Sequence, residues 1–179
     1  MNLFEINILY WIREHLTCPF LDWLMPPLSA LSAHGEIWIL LAVVLICSPK
    51  TRRAGLTVGV ALLMGYLIGN MGLKNIIGRV RPYDVVDVPL LVERLHDFAF
   101  PSGHTLASVG AATALTLHYR RWGIAALVLA ATIGFSRLYL FVHYPTDVVA
   151  GALLGVALAF WAYYTVNWVW RTSAPGNKK

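Results

Sequence analysis

The chain has 179 residues, 58% of them hydrophobic and only 13% charged, with a formal net charge of +5 and a mean hydropathy of +0.64. A water-soluble domain of this size is about 45–50% apolar and about 25% charged, so the excess apolar surface must face lipid; disorder and, with two cysteines, a disulfide scaffold are excluded. The basic excess sits in short clusters between apolar runs, which is how membrane topology is encoded and not how a nucleic-acid surface is built.

No cleavable signal peptide is read at the start, since Met-Asn-Leu-Phe-Glu has no basic region and no small-residue cleavage site follows. Residues 1–17 mix Phe4, Ile8, Trp11 and Ile12 with Glu5, Arg13 and Glu14, the pattern of a helix lying in the membrane interface. Pro19–Ala33 and Glu36–Ser48 read as two limbs of a helical hairpin turned at His34-Gly35-Glu36. The rival is one span from about Met25 to Ser48, disfavoured because an unpaired Glu at mid-membrane depth is costly. Ala54–Leu73, Thr105–Tyr119, Trp122–Val142 and Val148–Trp170 follow as further apolar runs, the first and last clearly long enough to cross about 30 Å of hydrocarbon. The fold expected is all-α: a polytopic membrane protein of six transmembrane helices with an N-terminal interfacial helix, one domain over 1–179, and a disordered tail at 172–179.

Charge then orients the spans. Lys50, Arg52 and Arg53, then Arg120 and Arg121, then Arg171, Lys178 and Lys179 share one face, which the positive-inside rule makes cytoplasmic. Every acid from Glu36 onward falls on the other face. A five-span count moves only the N-terminus. With six spans, Cys18 and Cys47 both lie toward the cytoplasmic side as free thiols.

Three polar groups meet on the outer face. Lys74 ends the third span, with Arg81-Pro82 after it; Pro101-Ser102-Gly103-His104 opens the fourth; Ser136-Arg137 and His143 end the fifth, with Asp147 opening the sixth. Ser102 reads as a helix N-cap whose following amides form an anion site. Lys74, Arg81 and Arg137 repel one another unless they face an anion, and arginine forks match phosphate oxygens. Pro145 suits the first helical position, placing Asp147 in the first turn, where it can accept a hydrogen bond from His143 and fix its tautomer. On this reading His143 attacks phosphorus and His104 protonates the leaving oxygen. Lys74, Arg81, Arg137 and the Ser102 and Gly103 amides stabilise the transition state.

Lys74-x6-Arg81-Pro82, Pro101-Ser102-Gly103-His104 and Ser136-Arg137-x5-His143-x3-Asp147 together resemble the three-part signature of the type 2 phosphatidic acid phosphatases, a superfamily that includes the vanadium haloperoxidases and glucose 6-phosphatase. The resemblance implies a six-helix membrane fold and metal-independent cleavage of a phosphomonoester or pyrophosphate through a phosphohistidine, with no cofactor. It implies His143 as nucleophile, His104 as acid and then base, Asp147 as its orienter, and Lys74, Arg81, Ser102, Gly103 and Arg137 as phosphate ligands. The partner expected is a phosphorylated membrane lipid, and the site opens at the extracytoplasmic surface. Undecaprenyl pyrophosphate is the first choice, followed by phosphatidic acid or phosphatidylglycerol phosphate. A lipid phosphotransferase and a non-enzymatic scaffold or transporter are the alternatives.

Other polar residues read more simply. Arg79 and Arg94 lie outside the motifs and are expected as snorkelling anchors. His15, His34 and His118 read as interfacial residues, and His96-Asp97, close to His104 in sequence, as an exposed loop pair or as a pair that shapes the pocket. Ser136 belongs to the motif, and its hydroxyl either serves the site or only bonds its own helix backbone. The loop Tyr83–Phe100 either dips into the interface or merely connects two helices.

Overall fold

Long apolar runs that carry no partner strand can satisfy their backbone groups in lipid only as helices, and all regular structure among the described residues is helical. The computed structural model describes residues 3–173. The helices are α1 (Leu3–Leu16), α2 (Pro19–Ala30), α3 (Glu36–Cys47), α4 (Arg52–Gly65), α5 (Lys74–Ile77), α6 (Pro82–Val85), α7 (Gly103–His118), α8 (Arg120–Tyr139) and α9 (Pro145–Ser173), with a π-helical segment at Tyr66–Leu73 joining α4 to α5. The helical stretches Arg52–Val85, Arg120–Tyr139 and Pro145–Ser173 are long and apolar enough to cross a membrane, and Glu36–Cys47 is a shorter apolar helix. Their outward side chains, including Val128, Leu153, Trp168 and Leu63, are exposed in the isolated chain, as lipid-facing positions are. Of the tail expected at 172–179, Thr172 and Ser173 end α9; the remainder lies outside the described residues.

The centre is a packing of α7 against α8, α9 and α4. It depends on small residues, because helices without a hydrophobic driving force between them gain by close backbone approach. A Cβ on Gly155 of α9 would lie 2.8 Å from the Leu106 carbonyl oxygen and 2.9 Å from the Gly110 nitrogen of α7. That contact, with Ser102 N–H donating to the Asp147 carbonyl at 3.0 Å, sets the N-terminus of α7 beside that of α9.

The break at His34–Glu36 is present, with Gly35 at φ 80° starting α3. A single span across it is therefore ruled out. The position of α2 corrects the hairpin, however. Its Asp22 accepts from the Tyr139 hydroxyl at 2.6 Å, and its Ser29 hydroxyl accepts from Arg137. Both ends of α2 thus meet the last turn of α8, so α2 passes across that end and does not run to the opposite one. Cys18, whose carbonyl accepts the Asp22 N–H at 2.9 Å, lies at the Tyr139 end, not at the Lys50 end as the sequence reading had it. The cause is the pair of polar side chains on α2, which find their partners only on α8.

At the same end, α1 buries Ile6, Leu9 and Ile12 in a cluster with Tyr83, Val88, Leu140, Phe141 and Val142. The segment after α6 folds onto this cluster. The Tyr83 hydroxyl donates to the Leu95 carbonyl at 3.0 Å and accepts its N–H at 2.9 Å, and Arg13 donates to the Pro89 carbonyl at 3.0 Å. The loop is thus tied down at Leu95 and Pro89.

Candidate active site

Three helix ends and one turn bring the motif residues together. Lys74 opens α5, directly after the π-helical segment, a local widening that often accompanies a functional position. Ser102 caps α7: its Oγ accepts from Thr105 N–H at 3.5 Å and from the Thr105 hydroxyl at 3.0 Å. His104 follows in the first turn and lines a cavity of about 870 Å³ together with Lys74, Arg81, Gly103 and His143. Between α8 and α9 the chain reverses through Phe141, held at φ 61°. Bulky residues rarely adopt that conformation, and here it delivers His143 into the core at 1% exposure.

Arg81 is wholly buried and bonded on every side. Its Nε donates to the Asp97 carbonyl at 2.8 Å, Nη1 to the Val142 carbonyl at 2.7 Å and Nη2 to Asp97 Oδ1 at 2.5 Å. Nη1 also donates to His143 Nε2 at 3.3 Å, so Nε2 is an acceptor and the proton sits on Nδ1. Burial, then the Arg137, Arg81 and Lys74 cations, hold this imidazole well below its ordinary pKa. The ring is neutral, as a nucleophile requires, and its Nε2 lone pair is held by Arg81 until that donor turns to another acceptor.

Asp147 does not hydrogen-bond His143 as expected from the spacing. His143 Nδ1 stands 3.4 Å from Asp147 Oδ2 and has no hydrogen-bond partner. Oδ2 instead accepts the Tyr144 N–H at 2.8 Å, and Oδ1 accepts from Arg79 at 2.6 Å. The carboxylate is poised near the imidazole but bonded elsewhere, because the free amide and a half-buried arginine are better placed.

One further expectation is corrected and another is resolved. Arg79 is no snorkelling anchor: its fork bridges Glu5 at 2.5 Å and Asp147 at 2.6 Å. The signal for it was Glu5 itself, an acid on a helix face otherwise made of Ile6, Leu9 and Ile12, which needs a buried cation. Asp97 is exposed and also shapes the site, as the two readings of it allowed: its carboxylate takes Lys74 and Arg81 together. Burial pushes the Asp97 carboxyl up, but those two cations outweigh it and bring it from 3.8 to about 2. The motif cations therefore face an internal anion, which motif spacing does not reveal.

Arg137 keeps the need for an anion. One Nη bonds the Ser29 hydroxyl, while its buried Nε and other Nη have no acceptor among the described residues. Asn70, from the π-helical segment, was missed by the sequence reading; its buried Oδ1 is also unpartnered and it lines the same cavity. Of the two readings of Ser136 the structure shows the backbone bond, its hydroxyl donating to the Ile133 carbonyl at 2.7 Å. Arg94 stays exposed, 3.5 Å from Asp84, and the His34 ring meets Glu36 at the surface. His118 is more than an interfacial residue, meeting the Thr57 hydroxyl at 2.9 Å. Among the described residues, no three His, Cys, Asp or Glu side chains converge as a metal site would require.

The cavity does not end at these charges. It continues between α3 and α4 along Ile39, Val43, Ile46, Leu62 and Gly59, an apolar corridor that opens from a cationic end.

The chain is 33% identical over 134 residues to an undecaprenyl-diphosphatase of Sulfolobus acidocaldarius, covering 73% of this chain and 65% of that protein, so it spans just under two thirds of the relative's length. Its fold resembles the crystal structure of a PAP2-type phosphatidylglycerolphosphate phosphatase from Bacillus subtilis, with a TM-score of 0.73 and 26% identity over 98% of this chain and 90% of the other. It likewise resembles Aquifex aeolicus LpxE, with a TM-score of 0.78 and 26% identity over 88% and 93% of the two chains. The sequence model of the PAP2 superfamily matches residues 54–171, a region that holds every motif residue named above, and the chain belongs to that superfamily.

Proposed function

We propose that this protein is a membrane lipid phosphatase that needs no metal and works through a phosphohistidine. The observation that carries the reading is the cavity whose one end is lined by Lys74, Arg81, His104 and His143 and whose other end is apolar. A phosphate on a long hydrocarbon fits both ends at once, and a soluble phosphate uses only one.

In the first step His143 Nε2 attacks phosphorus, forming the P–N bond as the bond to the leaving oxygen breaks, and His104 gives that oxygen its proton. Arg137, with two free buried donors, Lys74, Arg81 and the amides after Ser102 hold the equatorial oxygens. In the second step His104 takes a proton from water, the water oxygen bonds phosphorus and the P–N bond breaks. Asp147, beside Nδ1, stabilises the imidazolium character that develops.

Undecaprenyl pyrophosphate remains the first substrate, supported by the Sulfolobus relative's named activity. Phosphatidylglycerol phosphate is second, supported by the Bacillus structure. The residues form one domain. The site faces the extracytoplasmic surface, the basic loops face the cytoplasm, and five crossings (36–47, 52–77, 103–118, 120–139, 145–173) carry the chain, with α1 and α2 on the site side. This count suits the place of α2 and leaves the basic clusters as they were.

The test is phosphate release from both lipids by purified protein with chelator present, beside His143→Ala. Chelator-resistant release that the substitution abolishes supports the reading; release the substitution retains removes His143 as nucleophile. Suppression of free phosphate by an added lipid or sugar acceptor would identify a transferase.

A further inference from the structure

Arg79 lies outside the motif positions, yet its side chain is only 23% exposed and is bonded throughout. Nη1 donates to Asp147 Oδ1 and to the Thr146 hydroxyl, each at 2.6 Å, and Nη2 donates to Glu5 Oε2 at 2.5 Å. The guanidinium carbon lies 3.9 Å from the Tyr144 ring centroid. Glu5 is 3% exposed, and its Oε1 accepts both the Thr146 N–H at 3.0 Å and the Thr146 hydroxyl at 2.6 Å. A closed ring of bonds thus joins α1, the segment before Arg81 and the first turn of α9.

Two consequences follow for the Asp147 carboxylate. Bonded by Arg79 on Oδ1 and by the Tyr144 amide on Oδ2, it cannot rotate away from His143 Nδ1. The Arg79 charge alone would also offset the negative charge through which Asp147 acts on His143. Glu5, on the far side of the same guanidinium, cancels it. We propose that Arg79 and Glu5 form a positioning pair for the active site, Arg79 fixing the Asp147 carboxylate against His143 and Glu5 neutralising the charge that this fixing introduces. The proposal deepens the phosphatase reading above and rests on its role for His143.

Because the pair acts through charge, the two members have opposite signs. The other charged groups facing His143 are Arg81 at its Nε2, with Arg137, Lys74 and His104 on the remaining walls; Asp97 balances Lys74 and Arg81. Substitution at 5 or 79 leaves all of these in place. Glu5→Gln adds net positive charge near His143, and Arg79→Gln removes it.

The experiment uses the full chain in mild detergent with a short-chain polyprenyl pyrophosphate and, in parallel, a short-chain phosphatidate. It reads the acid limb of the kcat/KM profile for phosphate release and, independently of turnover, the NMR titration midpoint of the His143 ring. Glu5→Gln should move limb and midpoint to lower pH by about half a unit, and Arg79→Gln should move both upward by a similar amount. The double substitution should return both toward the original position while kcat stays low, since Asp147 is then unfixed. Arg79→Lys should hold the limb in place with reduced kcat, because an ammonium lacks the fork that spans two carboxylates. If Arg79→Gln does not fold, the Glu5→Gln and Arg79→Lys results decide the matter. Shifts of the same sign in both single variants, or kcat losses with no shift, would overturn the pair. Absence of release by the unsubstituted chain would instead sink the phosphatase reading, and the signed midpoints would still judge the pair.

Discussion

Asp97 holds Arg81 twice, through its backbone carbonyl at 2.8 Å and its carboxylate at 2.5 Å, and spends the other carboxylate oxygen on Lys74. A planar anion bridging a lysine and an arginine occupies the electrostatic role that a phosphate would take at the same cations. On the proposed reading, substrate phosphate and Asp97 would compete for these cations. Asp97→Asn should strengthen inhibition by inorganic phosphate, lowering its inhibition constant by about three- to tenfold, the modest size reflecting a half-exposed carboxylate screened by water. Competition of phosphate against a short-chain lipid substrate measures this. An unchanged or raised constant would show that Asp97 organises the cations for substrate and does not rival it.

The same pairs carry a pH dependence. The folded Asp97 carboxyl lies at about 2, below its ordinary 3.8, because Lys74 and Arg81 outweigh the effect of burial. A lowered carboxyl pKa stabilises the fold fully above the unfolded value and loses that contribution as pH falls through the folded one. The loop bearing Asp97 should therefore loosen between about pH 4 and pH 2. Cleavage of the 86–98 segment by an acid-active protease should rise across that window in the unsubstituted chain. In Asp97→Asn it should already be fast at the upper end, and the ratio of the two rates cancels the protease's own pH response.

Arg137 is the motif cation without an internal anion. With two buried N–H donors unpartnered, it gains most when phosphate arrives. Arg137→Lys keeps the charge but loses the planar fork, and should reduce kcat/KM by about ten- to hundredfold with little change in thermal stability. Steady-state kinetics beside a detergent-phase melting curve separates the two effects. A large fall in melting temperature with unchanged kcat/KM would assign Arg137 a structural role.

The parts legible in sequence were those written in local spacing. Ser102 before Gly103-His104 is an N-cap and Pro145 opens α9, since each depends on residues within a turn. Apolar run length gave the long helices for the same reason. What sequence did not carry was partner choice among distant charges. Glu5 and Arg79 are 74 residues apart, and nothing local distinguishes Arg79 from a snorkelling arginine until Glu5 is known to be buried. Asp97 sits beside His96 in a loop that reads as polar, and only the packing of Tyr83 on Leu95 brings it over Lys74. The place of α2 was misread because its apolar length allowed a crossing, whereas Asp22 and Ser29 commit it to the end of α8.

Small residues in the α7–α9 contact should be intolerant where backbone faces backbone. Gly155→Val would force Cβ within 2.8 Å of the Leu106 carbonyl oxygen, costing about 1–3 kcal/mol or more and displacing the α7 N-terminus that carries His104. Gly59, around which a Cβ meets nothing within 4 Å, is the control, and Gly59→Ala should be neutral. Melting curves in detergent for the two variants should differ by several degrees. Equal stability would mean that α7 and α9 are not held by this contact.

The two cysteines report the topology directly. Cys47 ends α3 and is exposed, and Cys18 is partly exposed beside Asp22 and hence Tyr139. A six-crossing chain puts both thiols on the basic side of the membrane. Five crossings put Cys18 on the side of His143 and Cys47 on the side of Lys50. Single-cysteine variants, Cys47→Ser and Cys18→Ser, in sealed vesicles of known orientation should then be labelled by a membrane-impermeant maleimide from opposite faces. Each thiol must also be labelled after detergent is added, so that burial is not mistaken for sidedness. Labelling of both from the same face would restore a crossing by α2 and would require Asp22 to leave Tyr139. Opposite labelling would fix α1, and with it Glu5, on the same surface as the active site.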